Sequence, residues 1–249
     1  MGRIDEAQAA FLEIYQKDVW GIGDNIEPEP ENIERYVALI QEFLGNNEIR
    51  SVVEFGCSAW PHLHRVNWDG IEYDGFDVVE ALVDVATRRY EARNIQFHVM
   101  TDGARLPRAD LLICKDVFQH LPCSDIKYYI GIFKSLYKYM LITDDIYPDD
   151  ATNKDIEYGG YRAVRLDLEP FNERCAVLQR LEGKTFGIDW IKRTSLLLGS
   201  PEVGGAADYP LLGKGSDFYP GKAKTLRRRI MKGLKAIAPG AAGRDEPGK

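Results

Sequence analysis

Acidic side chains stand in or at the ends of several apolar runs of this chain, and a histidine follows one of them. Glu54 lies inside Val52-Val53-Glu54-Phe55, a buried-strand run that stops at Gly56. An acid in an apolar strand is costly unless something pairs with it, and an ammonium group on a ligand would be such a partner. Gly56 lets the backbone turn tightly and approach a ligand. Ser58 follows where a helix could start and offer unpaired N–H groups. Asp77 closes Glu72-Tyr73-Asp74-Gly75-Phe76-Asp77-Val78-Val79, about 20 residues beyond the glycine turn, the place from which a carboxylate reaches ribose hydroxyls. His120 comes just after the run Ala109–Asp116, and its pKa range suits accepting a proton at neutral pH; the plainer role is to cap the Leu121-Pro122 turn. Asp144-Asp145 close the run Tyr139–Thr143. They read either as Mg²⁺ ligands or as a solvated strand end.

The elements that must hold these residues follow from periodicity. Residues 5–16 and 31–45 carry apolar stripes at helical spacing, with Ala7, Phe11, Ile14 and Tyr15 in the first and Ile33, Tyr36, Ile40 and Phe43 in the second. Strands are expected at 52–55, 72–79, 95–100, 109–116 and 139–143, and amphipathic helices over 79–91 and 125–137. Ala176–Leu181 and Phe186–Leu198 read as a final hairpin turning at Glu182-Gly183-Lys184. Alternating strands and helices give an α/β fold: a Rossmann-like, doubly wound, mostly parallel seven-stranded sheet with a C-terminal antiparallel hairpin, N-terminal helices and a basic C-terminal tail. Three parts are expected: a helical cap over 1–48, a core over 49–199 with a lid at 146–173, and an extension over 200–249. Within the lid, Tyr158-Gly159-Gly160-Tyr161-Arg162 combines glycine hinges with groups suited to a polar or anionic substrate. Trp20 reads as a hydrophobic plug or as a wall of the cofactor or sugar site. His62 and His64, two apart beside Trp60, read as a polar loop, because no carboxylate or thiol nearby completes a metal site.

Taken in order, Glu54-Phe55-Gly56-Cys57, Gly75-Phe76-Asp77-Val78-Val79 and Asp110–Asp116 with His120-Leu121-Pro122 resemble the successive motifs of class I S-adenosylmethionine-dependent methyltransferases. Val19-Trp20-Gly21, Gly160-Tyr161-Arg162 and Glu169-Pro170-Phe171-Asn172 resemble a subgroup that methylates glycans or related sugar hydroxyls. The resemblance spans roughly residues 18–182. The chain departs from the common three-glycine first turn, since Ser58 and Trp60 follow Gly56. The resemblance implies S-adenosylmethionine as cofactor, held by Glu54, Gly56, Cys57, Ser58, Asp77, Val78, Thr101, Asp102, Lys115 and Asp116. Asp102 would meet the adenine amino group; the alternative for it is a turn cap. It further implies His120 as general base and Trp20, Tyr161 and Arg162 on the acceptor, a sugar-containing or other small molecule. Methylation of another hydroxyl or amine, and a non-catalytic cofactor-binding partner protein, remain as alternatives. A dinucleotide-dependent oxidoreductase would want a Gly-x-Gly-x-x-Gly run that is missing here.

Composition bounds the remaining classes. The chain has 249 residues, 45% hydrophobic and 29% charged, with a net charge of −7. That balance argues against nucleic acid as the main partner, since phosphate binding needs a basic face. Four dispersed cysteines without metal-ligand spacing fit buried thiols and a reducing cytoplasm, and no apolar run or leader points to a membrane span or export. Residues 222–237 hold seven cations and no acid, with Leu226, Ile230, Leu234 and Ile237 at helical spacing. This segment is expected to contact an anionic membrane face peripherally, or else to be a solvated or body-docked tail. The sequence leaves the oligomeric state open.

Overall fold

A computed structural model describes residues 3–17, 30–101, 105–146, 153–185 and 188–199. Two helices, α1 (Arg3–Lys17) and α2 (Pro30–Asn46), precede strand β1 (Ser51–Phe55). Then come β2 (Glu72–Asp77), α3 (Glu80–Tyr90), β3 (Ile95–Val99), β4 (Ala109–Lys115), α4 (Cys123–Leu136), β5 (Tyr137–Ile146), β6 (Ala176–Thr185) and β7 (Ile188–Leu198). The seven strands form one sheet in the order β3-β2-β1-β4-β5-β7-β6. β1 to β5 are parallel, while β7 runs antiparallel to both β5 and β6. The winding reverses between β1 and β4, so a crevice opens outside the carboxyl ends of those two strands.

Both faces of the sheet are covered, which is why its central strands are apolar at nearly every position. On one face Val53, Leu112, Cys114 and Ile142 pack under Ile126, Tyr129 and Phe133 of α4. On the other, Val52, Leu111, Ile113 and Leu141 pack under Tyr36, Ile40 and Phe43 of α2. Successive residues of β4 thus alternate between two cores, each fully buried large side chain contributing about 1.5–3 kcal/mol. Among the described residues no helix is long and apolar enough to cross a membrane.

Four expectations need correction. No α-helix follows the glycine turn: residues 56–71 form a loop with one short 3₁₀ turn, Leu63–Arg65. Its aromatic residues fold inward instead. Trp60 packs on Tyr73, Phe97 and Tyr90 with ring centroids 5.0, 5.3 and 5.3 Å away, and the Trp68 indole N–H donates to the Leu63 carbonyl at 2.9 Å. Second, β5 runs on to Ile146, so Asp144 and Asp145 lie within a strand rather than at its solvated end. Third, the hairpin does not turn at Glu182-Gly183-Lys184, for pairing continues to Thr185↔Ile188. Gly183 serves packing there, since a Cβ on it would stand 2.2 Å from the Trp190 ring. Fourth, the described part of the lid segment is packed down, with Val164, Leu166 and Phe171 buried in the core beneath α4.

Candidate functional site

The crevice at the switch point is a cavity of about 270 Å³. Its first wall is built by the turns after β1 and β2. Gly56 adopts φ +84°, and a Cβ there would stand 2.3 Å from Val117 Cγ2, so only glycine fits. The Gly56 and Cys57 N–H groups donate to the Phe76 carbonyl at 2.8 and 3.0 Å, tying the turn to the end of β2. Asp77 in return accepts the Ser58 and Val79 N–H groups at 2.9 and 2.8 Å. Burial raises the Asp77 pKa to about 6, against those backbone bonds. Glu54 is buried and accepts a hydrogen bond from the Tyr73 hydroxyl. Burial raises its pKa to about 8, with the Tyr73 bond and the Lys115 charge pulling the other way. Neither carboxylate has an ion-pair partner among the described residues.

The second wall, at the end of β4, is charge-balanced by groups on it and, behind it, on β5 and β7. Asp116, in the left-handed region at φ +58°, is paired with Lys115 and accepts from Lys192 Nζ at 2.5 Å. The same Nζ reaches Asp145 Oδ1 at 2.7 Å, and the Tyr161 hydroxyl donates to Asp145 Oδ2 at 2.8 Å. Burial alone would raise the Asp116 pKa, yet the two lysines hold it well below the usual carboxylate range. Burial likewise opposes the charge on Lys192, but Asp116 and Asp145 together drive its pKa up.

His120 borders the crevice between these groups and the short 3₁₀ turn Phe118–His120. Its Nδ1 lies 2.8 Å from the Gly160 carbonyl, which can only accept, so Nδ1 carries the proton and Nε2 is the acceptor. Gln119 agrees with that tautomer. Its Oε1 accepts the Asp145 N–H at 2.9 Å, which turns its NH₂ toward His120 Nε2 at 3.3 Å. Burial lowers the His120 pKa, the Gly160 bond opposing it, so the ring is neutral at pH 7.

The structure brings Glu54, Gly56, Cys57, Ser58, Asp77, Val78, Lys115, Asp116 and His120 to this one crevice. Thr101 is exposed and does not line it, whereas its neighbour Met100 does. Trp20, Asp102, residues 147–152 of the lid segment and the basic stretch 222–237 lie outside the described residues. Arg162 must be reassigned: it is buried, and its guanidinium donates to the Phe118 and Leu121 carbonyls at 2.8 and 2.9 Å. With Gly159 N–H donating to the His120 carbonyl at 3.0 Å, residues 159–162 brace the histidine turn. Tyr161 is 48% exposed and bonded to Asp145, outside the crevice wall; Tyr158 lines the crevice instead. Asp144 and Asp145 do not converge as a ligand pair, because neighbouring strand residues point to opposite faces. Asp144 accepts the Gln119 N–H at 3.2 Å, while Asp145 is taken by Lys192. Among the described residues no group of three or more His, Cys, Asp or Glu side chains is placed to hold a metal.

Two parts of the wall escaped the sequence reading. Ala7, Phe11 and Tyr15 of α1 line the crevice, and Gln8 fastens the helix by donating to the Val78 carbonyl at 3.0 Å. The aromatic residues on the α1 stripe were the available signal, since a stripe facing plain core needs no hydroxyl. His62 also lines the crevice, carried there by the loop that replaces the expected helix.

No family model matches the chain, and no curated protein matches its sequence. Solved structures do resemble its fold. The N-methyltransferase NodS from Bradyrhizobium japonicum, in complex with S-adenosyl-L-homocysteine, aligns with a TM-score of 0.53 and 14% identity over 77% of this chain and 98% of its own. Magnesium protoporphyrin IX methyltransferase (ChlM) from Synechocystis PCC 6803, with bound SAM, gives 0.52 and 13% over 77% and 97%. DhpI in complex with SAH gives 0.51 and 14% over 78% and 98%. The chain therefore has the Rossmann-like fold shared by these methyltransferases.

Proposed function

We propose that the protein is an S-adenosylmethionine-dependent methyltransferase acting on a hydroxyl of a sugar-containing or related small acceptor. The observation that carries the reading is the pair Glu54, buried, and Asp77, half-buried, two carboxyl groups without ion-pair partners among the described residues at the ends of β1 and β2, in a fold shared with methyltransferases. The residues fit the cofactor's three parts. Glu54 and Lys115 stand on the same crevice as a carboxylate and an ammonium, a match for a zwitterionic amino-acid end. Asp77 suits a diol. Phe11, Val78 and Met100 give an apolar surface for a purine.

When bound, the cofactor supplies an electrophilic methyl group on a sulfonium. The protein's own share is positioning and proton removal. A sugar hydroxyl is a poor nucleophile while protonated, and a base in hydrogen-bond reach contributes about 10²–10⁴-fold. His120 Nε2 takes that proton, the acceptor hydroxyl displacing the long 3.3 Å bond from the Gln119 NH₂; the neutral ring and its Nδ1–H tautomer suit the task. Residues 159–162 keep the ring in place, and Lys115 and Lys192 keep Asp116 ionised nearby.

Incubation with methyl-labelled S-adenosylmethionine and a set of glycans and small polyols tests the proposal, with NAD binding as the control. Label transfer to a hydroxyl-bearing acceptor is the expected result. Transfer to amines alone would overturn the acceptor class, and NAD binding in place of S-adenosylmethionine would overturn the reaction class.

A further inference from the structure

The loop that follows the glycine turn, where a helix could have started, carries a side chain that the reading above does not use. Trp60 and Trp68 anchor residues 56–71 in the aromatic cluster under β2, and positive φ at Gly56, Ser58 and Trp60 curls the chain back over the ends of β1 and β4. Pro61, His62 and Leu63 are thereby turned toward the crevice. The position is fixed rather than loose: the His62 carbonyl accepts the Arg65 N–H at 3.2 Å, and Leu63 is buried with its carbonyl bound to Trp68. Its neighbour His64 has a structural role, bonded to the Trp60 carbonyl at 3.1 Å and stacked on Tyr90.

His62 faces the same electrostatic centre as His120. Both rings feel the Asp116 carboxylate, His62 also feels Lys115, and His120 also feels Lys192 and Asp145. Burial is the largest influence on His62 and lowers its pKa to about 3, so the imidazole is neutral at any physiological pH. A neutral imidazole offers one N–H donor and one acceptor nitrogen. On the crevice surface that both rings share, the charges of Lys115 and Asp116 are already paired with each other, and Lys192 backs Asp116 from outside it. A charged acceptor of either sign would have to compete with that pair, an ammonium meeting Lys115 and a carboxylate Asp116, each with a desolvation cost.

Resting on the methyl-transfer reading, we infer that His62 is a second acceptor-binding residue, which holds an uncharged, polyol-type substrate in the crevice it shares with His120 by a hydrogen bond to one of its hydroxyls. The reacting hydroxyl gives its proton to His120 Nε2 as its oxygen gains the methyl group. The sulfur keeps the electron pair of the broken carbon–sulfur bond. His62 donates a ring N–H to the reacting or the adjacent oxygen and takes no proton itself.

The chain has four histidines, so ring-labelled protein gives four resolvable signals. The full-length protein is first saturated with S-adenosylhomocysteine, then titrated with neutral methyl glycosides and with their amino-sugar counterparts. At least one neutral glycoside is expected to move the His62 and His120 signals and leave His64 and His98 in place. In turnover with that glycoside, His62→Ala raises KM by about tenfold, the loss of one hydrogen bond of about 1.4 kcal/mol, and His62→Asn recovers part of it. Affinity for S-adenosylhomocysteine stays within about twofold in both variants. The inference is overturned if no glycoside moves the His62 signal in a protein that binds S-adenosylhomocysteine, if the amino sugars are preferred, or if His62→Ala leaves KM unchanged. Failure of the wild type to bind S-adenosylhomocysteine overturns instead the reading on which the inference rests.

Discussion

The two walls of the crevice treat buried charge in opposite ways. On the β1–β2 wall Glu54 and Asp77 have no ion pair among the described residues, and burial raises their pKa values to about 8 and 6. On the β4 side Asp116 holds Lys115 and also Lys192, which Asp145 shares from behind the wall, so the Asp116 carboxyl is held well below the usual carboxylate range. A carboxylate left without a cation is destabilising in the empty protein and becomes favourable only when a cationic or hydroxyl-rich ligand arrives. A carboxylate already paired is part of the folded framework. One wall is thus set up for binding and the other for holding catalytic groups in place.

Substitutions that exchange these roles test the contrast. The largest effect is expected at His120, on the paired wall: His120→Ala should cut turnover by about 10²–10⁴-fold with S-adenosylmethionine affinity nearly unchanged. Because burial lowers the His120 pKa, wild-type kcat at saturating cofactor should stay level down to about pH 6.5 and fall only below it. A decline that starts above neutrality would assign the proton transfer elsewhere.

Next comes Lys192→Met, which leaves Asp116 and Asp145 without their shared cation. Breaking one side of a buried ion pair costs about 3–5 kcal/mol, to be read as a lower urea midpoint of the empty protein. A midpoint equal to wild type would remove the claim that this wall is structural.

Asp77→Ala should weaken S-adenosylmethionine binding by about tenfold or more, charge-assisted hydrogen bonds being worth about 1.5–3 kcal/mol each. The variant should fold. Unchanged affinity in a well-folded variant would take Asp77 out of the site.

Glu54→Gln should give the smallest change in stability and one of opposite sign to Lys192→Met. The carboxyl group is uncharged in the empty protein below about pH 8, and the amide oxygen still accepts from Tyr73. Its urea midpoint should match wild type near pH 4.5 and exceed it increasingly up to about pH 8, because over that range the unfolded Glu54 ionises while the folded one keeps its proton; above it the difference is constant. A sharp loss of stability would mean that Glu54 is already paired and not waiting for a ligand.

Much of this arrangement was legible in the chain because the strands are short apolar runs with acids and a glycine at their ends. Glu54, Gly56, Asp77, Lys115, Asp116 and His120 all stand within or just beyond such runs, and the sheet brings strand ends together whatever the loops do. The features that were not legible depend on tertiary partners. Arg162 looks like a substrate group in sequence, but the carbonyls it satisfies, at Phe118 and Leu121, lie some forty residues away. Gly183 reads as a turn until the Trp190 ring occupies its Cβ position. The missing helix after Gly56 was signalled by Pro61 and Gly70. His62 became visible as a crevice residue only once that loop was placed.

The central claim is that the Glu54 wall receives a cationic cofactor, and calorimetric titration of the wild type with S-adenosylmethionine at pH 7, in two buffers of different protonation heat, tests it most directly. With a pKa of about 8 the empty Glu54 holds its proton at pH 7. A ligand ammonium stabilises the ionised form, so binding at pH 7 must release a proton, and affinity must rise with pH until the ligand's own α-amino group begins to lose its proton, at about pH 8. One binding site with net proton release, and loss of that release in Glu54→Gln, is the predicted result. No binding, or the same proton balance in the wild type and in Glu54→Gln, would contradict the account.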